Sequence, residues 1–234
     1  MSENYRKPEK SLCLTFDDGP SATMEAVLDV LAKYDAKATF FVIGNRIAGN
    51  EAILQRAVRE GHEIGNHSWS HQALGDLWDP KTRVASTNSQ FDTAEKILAE
   101  IIPTQELVQK IAGVTPKLFR PPYLSDGVLF QKTVGMPCIA TCADTVDYAE
   151  TTTAEQIYDT VVTKARDGAI VLQHCFEGNE KTVEALKRIL PWCIEHGYQM
   201  VTVSEMFRES VIVPVNGKYY RSVEQVALDA PYTR

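Results

Sequence analysis

Two adjacent carboxylates close an apolar run in Leu14-Thr-Phe-Asp-Asp-Gly-Pro20, and about fifty residues later two histidines stand in Asn66-His-Ser-Trp-Ser-His71. Neighbouring side chains on a strand point to opposite faces, so Asp17 and Asp18 would ordinarily diverge. At a strand end that runs into a tight turn, both can instead face one cavity and keep different roles. Asp-Gly and Gly-Pro are also ordinary turn chemistry, so the pair taken alone reads equally well as a turn. His67 and His71 are four apart, which on one helical turn brings both imidazoles to the same side. Two imidazoles with one carboxylate make a facial ligand set for a divalent ion, leaving positions open for water and substrate. A chance pair in a polar loop is the competing reading, and it weakens once the two clusters are considered together.

Three more stretches place reactive side chains after apolar runs. Arg120-Pro-Pro-Tyr123 puts a guanidinium beside two backbone-stiffening prolines, where Arg120 could clamp a carboxylate or simply be a surface arginine at a rigid turn. Asp144-Thr-Val-Asp147-Tyr148 and Val171-Leu-Gln-His174 offer a histidine and a carboxylate at two strand ends. Such a pair can be a general acid held in orientation by its partner, or a satisfied structural contact. His62 and His196 fall at no strand end and read as surface residues.

The elements that must position these groups alternate in kind. Strands are expected over 11–16, 38–43, 63–66, 117–119, 137–143, 169–173 and 199–203. Helical periodicity covers 23–34, 50–60, 81–101 up to Pro103, 105–111, 153–165 and 181–196. This predicts an α/β fold of parallel βαβ units, closed into a distorted (β/α) barrel of about seven parallel strands. In such folds the site lies at the C-terminal strand ends, where Asp17, Asp18, His67, His71, Arg120, Asp144, Asp147 and His174 all fall. The barrel is expected to fill residues 1–210. From Val211, a β-rich run, Asn216-Gly217 and Lys-Tyr-Tyr-Arg predict a C-terminal β-hairpin over 211–234, a flap or the contact of a homo-oligomer.

Composition excludes several classes. With 234 residues, a net charge of −7 and no basic run, no nucleic-acid partner is expected. No run of 18 apolar residues occurs, so no membrane-spanning segment is expected. The first residues lack the apolar core of a secretory leader, so the chain as given reads as cytoplasmic, or as secreted if a leader has been removed. Five scattered cysteines, an odd number, suit a reducing compartment better than a disulfide framework. Neither a Gly-x-Ser-x-Gly elbow nor a glycine-rich nucleotide motif is present.

Thr15-Phe-Asp-Asp-Gly-Pro20, His67-Ser-Trp-Ser-His71, Arg120-Pro-Pro-Tyr123, Asp144-Thr-Val-Asp147-Tyr148 and Leu172-Gln-His174 occur in the motif order of the polysaccharide deacetylases. Ala36-Lys-Ala-Thr-Phe-Phe-Val-Ile-Gly44 and Gly61-His-Glu-Ile-Gly-Asn66 strengthen the likeness, which runs from about residue 11 to 207. The chain thus resembles carbohydrate esterase family four, the NodB-homology enzymes. The resemblance implies a divalent metal, zinc or cobalt, and hydrolytic deacetylation of an oligo- or polysaccharide. It implies Asp18, His67 and His71 as metal ligands, Asp17 as general base held by Arg120, and the backbone N–H of Tyr123 as an oxyanion donor. His174 would be the acid, with Asp144 orienting and charging it. Tyr148 and Leu172 would shape the acetyl pocket, and Leu124 and Trp69 would complete the substrate-binding set.

Two positions depart from the family pattern. Leu124 stands where glycine usually ends the third motif, and Tyr148 where tryptophan usually ends the fourth. Both bear on the substrate, and the leucine resembles the acetylxylan esterases of the family. The expected substrate is therefore an O-acetylated xylan or xylooligosaccharide. An N-deacetylase of chitooligosaccharide or peptidoglycan is the alternative within the class. A non-catalytic carbohydrate-binding protein is the alternative outside it.

Overall fold

The computed structural model describes residues 10–79, 84–86 and 88–223. The strands are β1 (Lys10–Gly19), β2 (Ala38–Val42), β3 (Glu63–Asn66), β4 (Leu77–Asp79), β5 (Val84–Ser86), β6 (Cys138–Ile139), β7 (Ala143–Asp144), β8 (Ala169–His174), β9 (Tyr198–Met200) and β10 (Tyr219–Tyr220). The α-helices are α1 (Ala22–Ala32), α2 (Glu51–Arg59), α3 (Ala94–Ala112), α4 (Val128–Thr133), α5 (Ala154–Lys164), α6 (Glu180–Glu195) and α7 (Val203–Glu209).

β1 is the hub. Its start pairs with β9, its later half with β2 on that same side, and β8 runs along the other edge, all in parallel. The main sheet runs β3-β2-β1-β8-β7, with β9 added on β1. Beyond β3 the wall continues through single-residue bridges, Asn66 to Phe119 and Phe119 to Cys138, into the β6–β10 pair. Ser222 then bridges back to Ala169 at the start of β8. The result is an α/β fold whose parallel strands curve into a distorted barrel, without a continuous hydrogen-bonded ladder all the way round.

Alternation along β1 sorts the interior. Leu12, Leu14 and Phe16 face outward into the large core beneath α1, α2, α5 and α6. Cys13 packs inside the barrel with Phe41, Leu118, Ile139, Ile170 and Tyr220. Thr15 and Asp17 continue this inner row, and there meet Arg120. A third cluster, including Ile97, Ile101, Phe119 and Phe130, seats α3 and α4 against the wall near β6.

Several sequence expectations need correction. The helix expected from Lys81 starts only at Ala94: Val84–Ser86 is a strand paired antiparallel with Leu77–Asp79, and residues 80–83 and 87 lie outside the described residues. Pro103 does not split the helix either, because α3 runs through it as one 19-residue element. Next to it, α3 is tied to the loop after β3: Asn66 Nδ2 donates to Ile101 O and Thr104 Oγ1 to Ser68 O. The single strand expected over 137–143 is two short ones, and α4 and α7 are helices too short for periodicity to mark. His62 is buried, not superficial, and its Nδ1 accepts from Ala38 N. Burial pushes its pKa down to about 4, so it sits there as a neutral acceptor.

The expected hairpin is not formed among the described residues. Asn216-Gly217 is a turn, but Val211–Val215 is not a strand, and β10 pairs in parallel with β6 instead. The buried Tyr219 and Tyr220 explain the choice: both bury their rings in the barrel wall, which a free hairpin would leave in water. Residues 224–234 of the expected tail lie outside the described residues.

Candidate active site

The C-terminal ends of β1, β3 and β8, with the turn after Phe119, surround a cavity of about 410 Å³. Asp17, Asp18, His67, His71, Tyr123, Leu124, Asp144, Tyr148, Leu172 and His174 line it. Asp17 enters it as part of the inward row of β1. Asp18 enters by a break in the strand: its φ is 72°, and the register against β2 slips between Asp17 and Gly19. That bulge is what lets two consecutive carboxylates share one cavity.

Arg120 is wholly buried and spends its guanidinium inside the barrel. Nη1 donates to Asp17 Oδ1 and Thr15 Oγ1, both at 2.8 Å, while Nε and Nη2 donate to the carbonyls of Ile139 and Ala140. Its face lies 4.3 Å above the Phe41 ring. The grip on Asp17 is therefore through one oxygen, and Asp17 Oδ2 is left facing His67 Nε2 at 3.6 Å.

Asp18 Oδ1 lies 3.3 Å from His71 Nε2 and 3.6 Å from His67 Nε2, and the three ligand atoms fall within 4.8 Å of one another. His67 Nδ1 lies 2.6 Å from the Arg120 carbonyl. A carbonyl only accepts, so Nδ1 carries the proton and the Nε2 lone pair points to Asp18. Burial drives the His67 pKa down to about 3, outweighing the nearby Asp18 charge, and lowers that of His71 in the same way. Neutral imidazoles make no ion pair with Asp18, and Asp18 Oδ1 is buried without any hydrogen bond. A buried carboxylate oxygen facing the Nε2 atoms of two neutral imidazoles, one with its lone pair fixed toward it, suits a divalent cation of mixed nitrogen and oxygen preference. The residues fit such an ion.

The histidines do not sit on a helical turn, as their spacing suggested. Residues 67–71 form an irregular loop in which Ser68 has φ 67° and His71 has φ 61°. Such a loop needs outside support. Glu100 of α3 accepts from Trp69 N, Ser70 N and Ser70 Oγ, and Asn66 Oδ1 accepts from Ser68 N. From the other side, Gly44 N and Asn45 N donate to Ser68 O and Trp69 O. Gly44 permits this approach: a Cβ there would lie 2.3 Å from Thr104 Oγ1 and 2.4 Å from the Trp69 ring. Trp69 thus packs over Gly44 and is not among the residues lining the cavity. Arg46, in the same short turn, donates to Asp18 O at 2.6 Å, so one three-residue turn braces both halves of the ligand set. Glu100→Ala is expected to weaken divalent-ion affinity roughly 10- to 100-fold, as loss of an orienting outer partner does elsewhere. Titration calorimetry on the stripped protein checks this.

His174 is oriented by Asp147, not by Asp144. Asp147 Oδ1 takes His174 Nδ1 at 2.6 Å, and Oδ2 takes the His174 backbone N–H and Thr182 Oγ1. Asp144 instead caps its own turn by accepting from Val146 N, while still lining the cavity. The reason is depth: Asp147 is fully buried beside β8, whereas Asp144 is half-buried at the rim. Burial alone would lower the His174 pKa. The hydrogen bond and charge of Asp147, with the charges of Asp17 and Asp18, overcome it and raise the pKa to about 9. Tyr123, at φ 57°, exposes its ring and lays it edge-on to His71 at 4.8 Å. Leu124 and Leu172 form the apolar part of the wall, and the Tyr148 ring stands against His174 at 5.3 Å.

Residues 4–135, more than half of the chain, match the family model described as polysaccharide deacetylase. The chain belongs to the polysaccharide deacetylase family. It is 38% identical over 207 residues to a bifunctional xylanase/deacetylase of Pseudobutyrivibrio xylanivorans, covering 88% of this chain and 32% of that protein. It is 34% identical over 215 residues to the peptidoglycan-N-acetylglucosamine deacetylase PgdA of Listeria monocytogenes, covering 92% of this chain and 42% of that one. The chain thus spans well under half the length of these two relatives. The structure of a family 4 acetyl xylan esterase from Clostridium thermocellum, in complex with a cobalt ion, superposes with a TM-score of 0.82. There the identity is 37%, with 92% of this chain and 100% of that chain covered.

Proposed function

We propose that this polysaccharide deacetylase family member is a metal-dependent hydrolase that removes acetyl groups from carbohydrate, O-acetyl esters of xylan or xylooligosaccharides above all. The observation that carries the reading is the pairing, across one cavity, of an arginine-held carboxylate beside a three-residue ligand cluster with a histidine whose proton is kept by Asp147.

Asp18, His67 and His71 would hold the ion, which when bound would acidify water and stabilise negative charge on oxygen. Asp17 accepts the proton of the attacking water at Oδ2, since Arg120 occupies Oδ1. The Tyr123 backbone N–H, in its left-handed turn, supports the developing oxyanion. His174 gives its Nε2 proton to the departing sugar oxygen while Nδ1 stays bonded to Asp147. Leu172 and Tyr148 enclose the acetyl methyl. Leu124, where the family pattern has glycine, narrows the third side and favours the esterase reading.

The acid must be protonated to work, so activity should fall as pH rises through about 9, the pKa of His174. Asp147→Asn removes the charge and bond that raise this pKa, so its alkaline limb is expected at lower pH than in the wild type. A pH–rate profile of both proteins checks the direction.

The reading itself is tested by acetate release from acetylated xylooligosaccharide and from chitooligosaccharide at equal concentration. Hydrolysis should vanish on chelation, return with zinc or cobalt, and show the higher kcat/KM on the xylooligosaccharide. A higher value on the chitooligosaccharide sinks the esterase reading in favour of an N-deacetylase, and activity persisting in metal-stripped His71→Ala protein ends the metal assignment.

A further inference from the structure

Asn179 occupies the N-cap position of the 16-residue helix α6, where an asparagine ordinarily accepts through Oδ1 from a free backbone N–H. Here its side chain does not cap the helix. Nδ2 faces three acceptors instead: Asp147 Oδ2 at 3.2 Å, His174 O at 2.9 Å and Thr182 Oγ1 at 2.9 Å. Oδ1 is buried with no hydrogen-bond partner among the described residues. Thr182, in the first turn of the same helix, is wholly buried, and its Oγ1 lies 2.6 Å from Asp147 Oδ2. A carboxylate only accepts, so the hydroxyl proton goes to Asp147 and an amide proton to the hydroxyl. The order Asn179 to Thr182 to Asp147 is thereby fixed, and each bond polarises the next.

Asp147 needs this support. It follows Val146, a β-branched residue at φ 54°, and a loop strained in that way keeps its shape only under outside restraint. Lys181 Nζ, from the same turn of α6, donates to Ala149 O at 2.6 Å and pins the loop beyond Asp147. His174 N, Thr182 Oγ1 and Asn179 Nδ2 all donate to Asp147 Oδ2, so the carboxylate cannot swing. Oδ1 then meets His174 Nδ1 at 2.6 Å, and Nε2 is the imidazole nitrogen left for the cavity that His174 lines. We propose that Asn179 and Thr182 are positioning residues for the proton donor. They lock the carboxylate of Asp147, and so keep His174 Nε2 aimed at the departing oxygen. The proposal rests on the hydrolase reading for what His174 does, and adds what keeps it in place.

Thr182→Val keeps the volume and removes the hydroxyl, and Asn179→Ala removes the amide without costing α6 a side-chain cap. On acetylated xylooligosaccharide, kcat should fall roughly 10- to 100-fold in each, the scale of a misplacement of about 1 Å, with KM little changed. Turnover of 4-nitrophenyl acetate, whose leaving group needs no proton, should fall far less. Thr182→Ser returns the hydroxyl without the methyl and should recover most of the loss. A second readout needs no turnover. In the nitrogen-edited proton NMR spectrum of zinc-loaded protein, the His174 Nδ1 proton, shielded by Asp147, should be seen in the wild type and in Thr182→Ser. It should be lost to exchange with water in Thr182→Val and Asn179→Ala. No such signal in the wild type, a signal that survives in both variants, equal losses on the two esters, or a Thr182→Ser as impaired as Thr182→Val each overturns the positioning role. A signal lost in the variants, while the wild type releases no acetate, supports the positioning role and overturns the hydrolase reading instead.

Discussion

Asp17→Asn is expected to keep divalent-ion affinity while hydrolysis drops roughly 10²- to 10⁴-fold, the usual weight of a general base. The amide can still accept from Arg120 at the position of Oδ1, so the fold and the ligand cluster should persist. What it loses is the basicity of the second oxygen, the one facing His67 Nε2. Asp18→Asn is expected to fail differently. Its Oδ1 is the buried, unbonded oxygen of the ligand set, so ion affinity should fall together with rate. Ion titration alongside kcat distinguishes the pair, and the opposite pattern would mean the two carboxylates have exchanged roles.

Arg120→Met is expected to cost about 3–5 kcal/mol of stability as well as activity, because it removes one partner of a buried ion pair. Asp17 is 3% exposed, so its charge would remain without compensation, and the Ile139 and Ala140 carbonyls would each lose a donor. For a chain of this size the loss corresponds to a fall in Tm on the order of 10 °C. Arg120→Lys keeps the charge but not the fork, and should recover only part of it. Adding Asp17→Asn to Arg120→Met should restore some of the lost stability, since the stranded charge is then gone. Thermal melts of the single and double variants decide this: strictly additive losses would mean that Arg120 acts through its carbonyl bonds alone.

The strand ends that carry the site were legible because each follows an apolar run and ends in a polar motif. β2, β3 and β8 are therefore readable in the sequence nearly to the residue, while β1 runs three residues past its expected end at Phe16, through both carboxylates to Gly19. The roles that depended on local spacing fared worse. Asp144 and Asp147 share one motif at the strand end next to that of His174, and only depth in the fold selects Asp147. His67 and His71 converge through a left-handed loop braced from α3, and nothing local to the loop announces Glu100 or Gly44 as its supports. Trp69 shares a motif with the ligands yet packs away from the cavity against Gly44. The tail misled for a related reason: Asn-Gly marks a turn reliably, but what pairs after the turn is decided by where Tyr219 and Tyr220 can be buried.

The arrangement of β1 also bears on how the chain reaches its native state. Lys10–Leu12 pairs with Tyr198–Met200, and Leu12–Asp17 with the whole of β8, so the central strand of the sheet takes most of its pairing from strands more than 150 residues further along the chain. During synthesis β1 is made before every strand it pairs with, so one entire edge stays unmatched until β8 has been made, and part of the other until β9 has been made. Only β2 and β3 can dock early. The segment that carries Asp17 and Asp18 is therefore made before all of its sheet partners and is among the last to be enclosed. Large loop closures of this kind slow folding and keep an apolar strand edge open to wrong partners in the interval. For a hub strand so placed, the late C-terminal half of the chain acts as the chaperone of the early one.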